Sequence, residues 1–211
     1  MGTLDFRPAL EQAERSVAEL HASPHRLVVY ATGAGAGVQS LLWEQPGASA
    51  TLLDAQFPYS RDALMDLLGA EPQQYCSQET AIRMAIAAHA RCRELAIRSG
   101  KPDVPTTGLG LTASVATGTP KRGDHHVHIA VQCQFPEFQD AVIMTIDGTF
   151  TKGRLTREEE GTICDLLALI ATFYTVGLQG EHILLPSWGD FGFKSQEVSL
   201  GEFEGPWVVN P

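Results

Sequence analysis

Residues 28–42 read VVYATGAGAGVQSLL, in which an apolar, β-branched run passes through a glycine loop into a helical segment. The glycines stand at alternate positions, Gly33, Gly35 and Gly37. A helix start of this kind offers unpaired backbone amides, and such amides bind phosphates and other anions. Glycines also permit a tight turn and close helix packing. The spacing therefore leaves ligand binding and packing open as alternatives.

Two well-defined nucleotide motifs are excluded at this loop. A dinucleotide-binding fingerprint needs a glycine three places after Gly35, where Val38 stands. A nucleoside-triphosphate loop needs a lysine followed by serine or threonine, and no such pair follows. The loop thus predicts at most a weaker anion site at the start of the helix.

The segments around the loop predict an α/β protein, a three-layer α/β/α sandwich with a mixed central sheet of about five strands. Ser77 is expected to cap a long helix, and Thr156 with Glu159 forms the capping box of another. The predicted helices are 4–21, 38–45, 60–69, one from Ser77 to near Gly100, and 156–178. The predicted strands are 26–31, 50–59, 106–115, 125–133 and 138–147, with 46–49 (PGAS) as a turn before the second strand.

The domain organisation follows from a change in pattern at Gln179. Residues 1–178 are expected to form one α/β domain. Residues 179–211 have no helical period and are rich in glycine and aromatics, which predicts a tail packed on the domain or on a neighbouring subunit. Its aromatic residues are Trp188, Phe191, Phe193, Phe203 and Trp207.

Composition narrows the function classes. A formal net charge of -10 argues against a general nucleic-acid or anionic-membrane binder, because those partners require a basic face. The four cysteines show no metal-ligand spacing, and the first residues do not resemble a secretory signal, which favours reduced thiols in the cytoplasm. The most apolar stretch, TICDLLALIATFYTVGL, contains Asp165 and is expected to be a buried helix.

Four stretches carry a resemblance to a known family: PGAS at 46–49, the Tyr59–Ser60 segment with Leu67, Leu68 and Gly69 behind it, CSQETAIRMA at 76–85, and GLTASVATGTP at 110–120. Over about residues 26–175 the chain resembles the C-terminal domain of the competence-damage-inducible protein CinA, the family of nicotinamide mononucleotide deamidases. It is more similar still to the CinA-like region that precedes a cytidylyltransferase-like domain in plant proteins, on PGAS, PYSR, CSQ, PKRGDH and LTREEE.

The resemblance implies a carboxamide-hydrolysing site and also shows where this chain departs from it. The family's nucleophilic serine falls on Thr32, the preceding glutamate on Ala31, and the catalytic lysine on Leu64. A hydroxyl is a weak nucleophile without a base, and Leu64 cannot accept its proton. The catalytic candidates are therefore Thr32, Tyr59 and His125, with the original activity expected to be lost or altered.

The resemblance also implies a pocket for a nucleotide, with phosphate on the loop amides and on Arg61, whose guanidinium suits phosphate. Lys121 and Arg122 are further cations, or exposed solubilising charges. No cofactor is expected. The predicted ligand-binding residues are Gly33, Gly35, Gly37, Ser60, Arg61, Thr112, Thr117 and Lys121.

The stretch KRGDHHVH is the densest cluster of titratable groups. In a strand, Asp124, His126 and His128 share one face and His125 faces the other way. The first three suit a metal ion, but no distant third ligand is evident, and a polar strand edge is the alternative. The resemblance of GDH to the plant CinA-like form also implies that His125 is a candidate general base beside the glycine loop. No metal site is assigned.

Three functional hypotheses remain open. The first is a CinA-like protein that binds a pyridine mononucleotide without the original chemistry. The second is an active nicotinamide-nucleotide amidohydrolase that uses Thr32 or His125. The third is a non-enzymatic, oligomeric partner of a separate nucleotidyltransferase. The family resemblance favours a homodimer.

Overall fold

The computed structural model describes residues 4–119, 122–178 and 193–202. Within them, six strands form one mixed sheet in the order β2-β1-β3-β4-β5-β6. In chain order the elements are α1 (Arg7–Ala22), β1 (Arg26–Thr32), α2 (Ala36–Glu44), α3 (Ala48–Thr51), β2 (Leu52–Gln56), α4 (Arg61–Leu68), α5 (Gln78–Arg98), β3 (Thr106–Ser114), β4 (His125–Gln134), β5 (Val142–Phe150), α6 (Arg157–Thr175) and β6 (Phe193–Glu202).

Helices cover both faces of the sheet. β1 runs parallel to its neighbours β2 and β3, whereas the pairs β3–β4, β4–β5 and β5–β6 are antiparallel. On one face α1, α2 and α6 pack against Leu27 and Val29 of β1 in the larger core cluster. On the other face α4 and α5 pack against Val28 and Tyr30. This alternation along β1 confirms the predicted three-layer α/β/α sandwich.

The helix starts follow the local sequence signals. The Ser60 hydroxyl accepts a hydrogen bond from the Ala63 amide at the start of α4, and Gly69 ends that helix with φ 71°. Ser77 caps α5 in the same way, and Thr156 with Glu159 forms the predicted capping box of α6. Each cap satisfies amides that have no partner inside the helix.

Some element bounds differ from the prediction. α1 begins at Arg7 because Pro8 suits the first turn of a helix. Residues 46–49 are predicted to form a turn before a strand that begins at residue 50. In the structure Ala48–Thr51 is a short helix, and β2 begins only at Leu52. β2 ends at Gln56, before Pro58, which has no amide hydrogen for strand pairing.

A sixth strand lies in the segment predicted to be a tail. Phe193–Glu202 pairs antiparallel with β5 over most of its length. The other four aromatic residues of that segment, Trp188, Phe191, Phe203 and Trp207, lie outside the described residues.

The apolar helix α6 is buried as expected. Its residues Ile163, Leu166 and Leu169 are fully enclosed by the sheet and by α1 and α2. Within the described ranges, no helix is both long and apolar enough to cross a membrane.

Candidate functional site

Each glycine of the loop stands where a residue with a β-carbon would be strained or would clash with a neighbour. Gly33 has φ 81°, and a β-carbon there would lie 1.8 Å from the carbonyl oxygen of Ala113. Gly35 also has positive φ, at 93°, and is the N-cap of α2. A β-carbon on Gly37 would lie 2.2 Å from Oδ2 of Asp165. The loop therefore allows β1, β3, α2 and α6 to approach closely.

A carboxylate from α6 lies at the start of α2. Asp165 accepts hydrogen bonds from the backbone amides of Gly37 and Val38, and its burial raises the pKa of the carboxyl to about 7. Its other oxygen, Oδ1, is buried without a hydrogen-bond partner among the described residues. The amides that were expected to hold a ligand phosphate thus already have an acidic acceptor within the chain.

The predicted site residues at the end of β1 and just after β2 mostly make hydrogen bonds that stabilise the local structure. Thr32 donates a hydrogen bond to the Pro58 carbonyl at 3.0 Å, and Ser60 caps α4. Arg61 donates to Glu71 at 2.5 Å and to the Tyr75 hydroxyl at 3.0 Å, so its charge is already paired. Tyr59 is 76% exposed and is the member of this group with the most open side chain.

The remaining predicted ligand residues lie at the end of β3 and beyond it. Thr112 donates to the Tyr75 carbonyl at 2.8 Å, and Thr117 donates to the Thr119 carbonyl at 2.7 Å. Lys121 lies outside the described residues. Leu64, at the position where the resemblance implies a lysine, is buried in the core beside Val28.

His125 lies on the α6 face of the sheet, whereas Thr32 follows Val28 and Tyr30 on the α5 face. The His125 Nδ1 atom is 2.8 Å from Oε1 of Glu160, a carboxylate with no exposed surface. Oε2 of Glu160 accepts the Ala116 amide at 2.6 Å. The structure therefore does not bring His125 to the hydroxyl of Thr32.

The α5 face carries a polar row that crosses four strands. The strand register aligns Thr32 of β1, Thr112 of β3, His128 of β4 and Asp147 of β5. We call these four residues the polar row. They lie at the end of the sheet where α5 begins, next to residues 75–78.

His128 is the most highly connected member of the polar row. Its Nδ1 atom hydrogen-bonds to Asp147, and Oδ2 of Asp147 accepts the side-chain amide of Gln78 at 2.5 Å. The thiol of Cys76 lies within hydrogen-bonding reach of the same imidazole. Burial would lower the pKa of His128, but its hydrogen bonds to Asp147 and Cys76 and their negative charges raise it to about 9.

The arrangement of the other histidines follows the predicted alternation. His126 stacks on His128 with ring centroids 6.0 Å apart and hydrogen-bonds to Thr149, on the face opposite to His125. Among the described residues, no group of three or more histidine, cysteine and acidic side chains is arranged to hold a metal ion.

Sequence reasoning did not identify Cys76, Gln78 or Asp147 as members of a site. The three are far apart from His128 along the chain, and only the strand register and the start of α5 bring them to it. The available signal was a cysteine directly before the helix cap Ser77, together with distant histidines and acids.

The polar row and the glycine loop lie on a mixed-sheet α/β/α sandwich, and solved structures of this class match the chain. The competence/damage inducible protein CihA from Agrobacterium tumefaciens matches with a TM-score of 0.61 and 18% identity, over 83% of this chain and 99% of that one. A CinA superfamily protein from Escherichia coli matches with a TM-score of 0.54 and 16% identity, over 82% and 93%. The chain therefore has a CinA-like fold.

No family model matches the sequence, and no curated protein matches it.

Proposed function

We propose that the protein binds a small nucleotide of the pyridine mononucleotide type over the polar row, with the carboxamide-hydrolysing chemistry of CinA-type enzymes lost or altered. The observation that carries the proposal is the alignment of Thr32, Thr112 and His128 on one face at the end of the sheet. Hydroxyls and a protonated imidazole suit the polar groups and the negative charge of such a ligand. The exposed ring of Tyr59 is available for stacking.

Three structural features support the view that the carboxamide-hydrolysing chemistry is lost or altered. Leu64 is buried where the family has its lysine, and the Thr32 hydroxyl donates to the Pro58 carbonyl. His125 lies on the other face of the sheet and is held by Glu160. None of these groups activates the Thr32 hydroxyl as a nucleophile.

Calorimetric titration with nicotinamide mononucleotide and nicotinic acid mononucleotide tests the proposal. We expect saturable binding in the micromolar to millimolar range, weakened roughly tenfold in Thr32→Val because a hydrogen bond to the ligand is lost. Thr162→Val is the matched control, since Thr162 lies on α6 and bonds to the Glu158 carbonyl. The absence of saturable heat with either nucleotide contradicts the proposal.

Mass spectrometry of the same mixtures separates binding from hydrolysis. We expect no conversion of nicotinamide mononucleotide to nicotinic acid mononucleotide. Product that forms with the wild type and disappears in Thr32→Val would support the alternative, an active amidohydrolase. Product that disappears in His125→Gln would assign the role of base to His125 instead.

A second candidate function, self-association, is favoured by one surface. β2 is one of the two edge strands of the described sheet, and Trp43 beside it is 66% exposed. A groove of about 550 Å³ separates them and continues along Gly47, Ala48 and Leu52. An open strand edge beside an exposed tryptophan suits a second copy of this chain. The alternative occupant is a nucleotidyltransferase.

Trp43→Ser should shift the protein from dimer toward monomer in sedimentation velocity, because it removes the largest apolar contact of this groove. Tyr174→Ser is the control, since Tyr174 is similarly exposed but lies on α6. If the wild-type protein is already monomeric, the dimer proposal is contradicted. Co-purification of a nucleotidyltransferase would favour the other occupant.

We also propose a cytoplasmic location, which the four free thiols favour.

A further inference from the structure

We propose that Cys76 is an activated nucleophile of a thiol-based acyl-transfer centre, in which His128 serves as its base and Asp147 orients the imidazole. The centre includes two members of the polar row, but it requires no particular nucleotide. Its substrates would be small molecules with an ester or carboxamide carbonyl.

The geometry has the connectivity that nucleophilic catalysis needs. Asp147 holds Nδ1 of His128, which leaves Nε2 as the ring nitrogen for the thiol of Cys76. Gln78 holds the second oxygen of Asp147 and so fixes the carboxylate. The side chains of His128 and Asp147 are each 18% exposed, and Cys76 is half-buried, so none of the three residues is sealed from solvent.

Cys76 lies at the N-terminal end of a long helix and beside an imidazole. It directly precedes Ser77, the cap of the 21-residue helix α5. The positive end of a helix and a neighbouring imidazolium both stabilise a thiolate. In addition, the backbone amides of Gln78 and Glu79 have no acceptor inside the helix, and they suit the oxyanion that forms when a carbonyl is attacked.

The other three cysteines are buried, and their thiol pKa values are raised. Cys92, Cys133 and Cys164 are buried. Burial raises the pKa of the Cys92 thiol to about 12 and that of the Cys133 thiol to about 11, and it also raises the pKa of Cys164. They are therefore protonated at neutral pH and serve as internal controls for Cys76.

The reaction balances with the groups present and water. The Cys76 thiolate attacks the carbonyl carbon and a C–S bond forms; the substrate's C–O or C–N bond then breaks, and the leaving alcohol or amine takes a proton from the His128 imidazolium. The neutral imidazole then removes a proton from water, whose oxygen attacks the thioester. The C–S bond breaks, the carboxylic acid leaves, and the thiolate and imidazolium are restored.

Alkylation with limiting iodoacetamide, followed by peptide mass spectrometry, measures the reactivity of each cysteine. At about pH 6, Cys76 in the folded protein should react at least roughly tenfold faster than Cys76 in the urea-unfolded protein, because only the folded chain places it beside an imidazolium. Cys92, Cys133 and Cys164 should react only after unfolding. This comparison requires no variant, and equal rates for Cys76 in the two states would overturn the proposal.

Variants then test the role of His128. The titratable groups around it are Asp147 on β5, Cys76 before α5 and His126 on β4. His128→Asn should lower the Cys76 rate at about pH 6 by roughly tenfold and restore the pH profile of an ordinary thiol. His126→Asn is the matched control and should change the rate less than about twofold. An unchanged profile in a folded His128→Asn protein would overturn the assignment.

Acylation tests the chemistry itself. With p-nitrophenyl acetate we expect a burst of p-nitrophenolate, an acetyl adduct on Cys76, and slow release of acetate, all lost in Cys76→Ala. Asp147→Asn should slow both steps while the adduct stays on Cys76. A reactive thiol that never carries the acetyl group would overturn the acyl-transfer role. Neither assay contains a mononucleotide, so their outcome is independent of the binding proposal.

Discussion

Gly110→Ala will destabilise the protein by at least about 3 kcal/mol, the upper range for adding a methyl group to a filled core. A β-carbon at this position of β3 would lie 2.3 Å from the carbonyl oxygen of Ala81 and 2.4 Å from the amide nitrogen of Ala85. Both atoms belong to the backbone of α5, so no side chain can rotate away. The whole helix must move off the sheet to admit the methyl group.

The effect should be cumulative along the contact between β3 and α5. A β-carbon at Gly108 would lie 2.2 Å from the amide nitrogen of His89, one turn further along α5 than the contact at Gly110. The double variant Gly108→Ala/Gly110→Ala should fail to fold, because its cost approaches the whole stability of a typical domain. The movement of α5 would also displace Cys76 from His128 and Gln78 from Asp147.

Urea unfolding measures this prediction, with Gly161→Ala as the matched control. Gly161 lies within α6, and a β-carbon there meets no atom within 4 Å. Alanine at that position should stabilise the protein by about 0.5–1 kcal/mol, the difference in helix propensity. A loss below about 1 kcal/mol for Gly110→Ala would show that α5 can lift from β3 without losing its packing.

The same contact illustrates what the sequence could predict and what it could not. The apolar and β-branched residues predict the strand at residues 106–115, and signals within four residues predict the caps at Ser77 and Thr156. These features depend on local backbone geometry. The close approach of α5 to Gly108 and Gly110 depends on packing partners roughly 20 to 30 residues away in the chain, which local sequence patterns do not reveal.

The candidate site was less predictable because its contacts cross the sheet. The glycine loop correctly indicated a strand-to-helix turn, but spacing alone could not distinguish a ligand anion from a carboxylate supplied by α6. The face of His128 followed from strand alternation, yet its partners Cys76 and Asp147 depend on strand order and register. The role of His125 as a base rests only on the resemblance of GDH to the plant CinA-like form, and alternation places His125 on the other face.

Asp165→Asn will raise stability at neutral and alkaline pH, by on the order of 3 kcal/mol, and will remove a pH dependence of the wild type. In the folded protein burial raises the pKa of Asp165 to about 7, whereas in the unfolded chain the carboxyl titrates near its ordinary value of about 4. Between about pH 4 and about pH 7 the carboxyl of Asp165 is therefore protonated in the folded protein and ionised in the unfolded chain. The free energy of unfolding of the wild type should therefore fall as the pH rises from about 4 to about 7.

The pKa of Asp165 is raised because of the position of this residue at the glycine loop. Its carboxyl accepts the amides of Gly37 and Val38, which favours the charged form, but Oδ1 is buried without a partner among the described residues, and desolvation is the larger effect. Asparagine keeps an oxygen acceptor for the two amides and carries no charge. The variant should thus match the wild type at about pH 4 and exceed it at about pH 8.

Thermal and urea unfolding across this pH range measure the difference, with the exposed Asp66→Asn as control, which should change stability by less than about 0.5 kcal/mol at every pH. Parallel curves for the wild type and Asp165→Asn would mean that the carboxyl ionises at its ordinary pH. The two amides of α2 would then compensate fully for the burial of a charge. In that case the glycine loop would hold a buried carboxylate in its charged form at neutral pH.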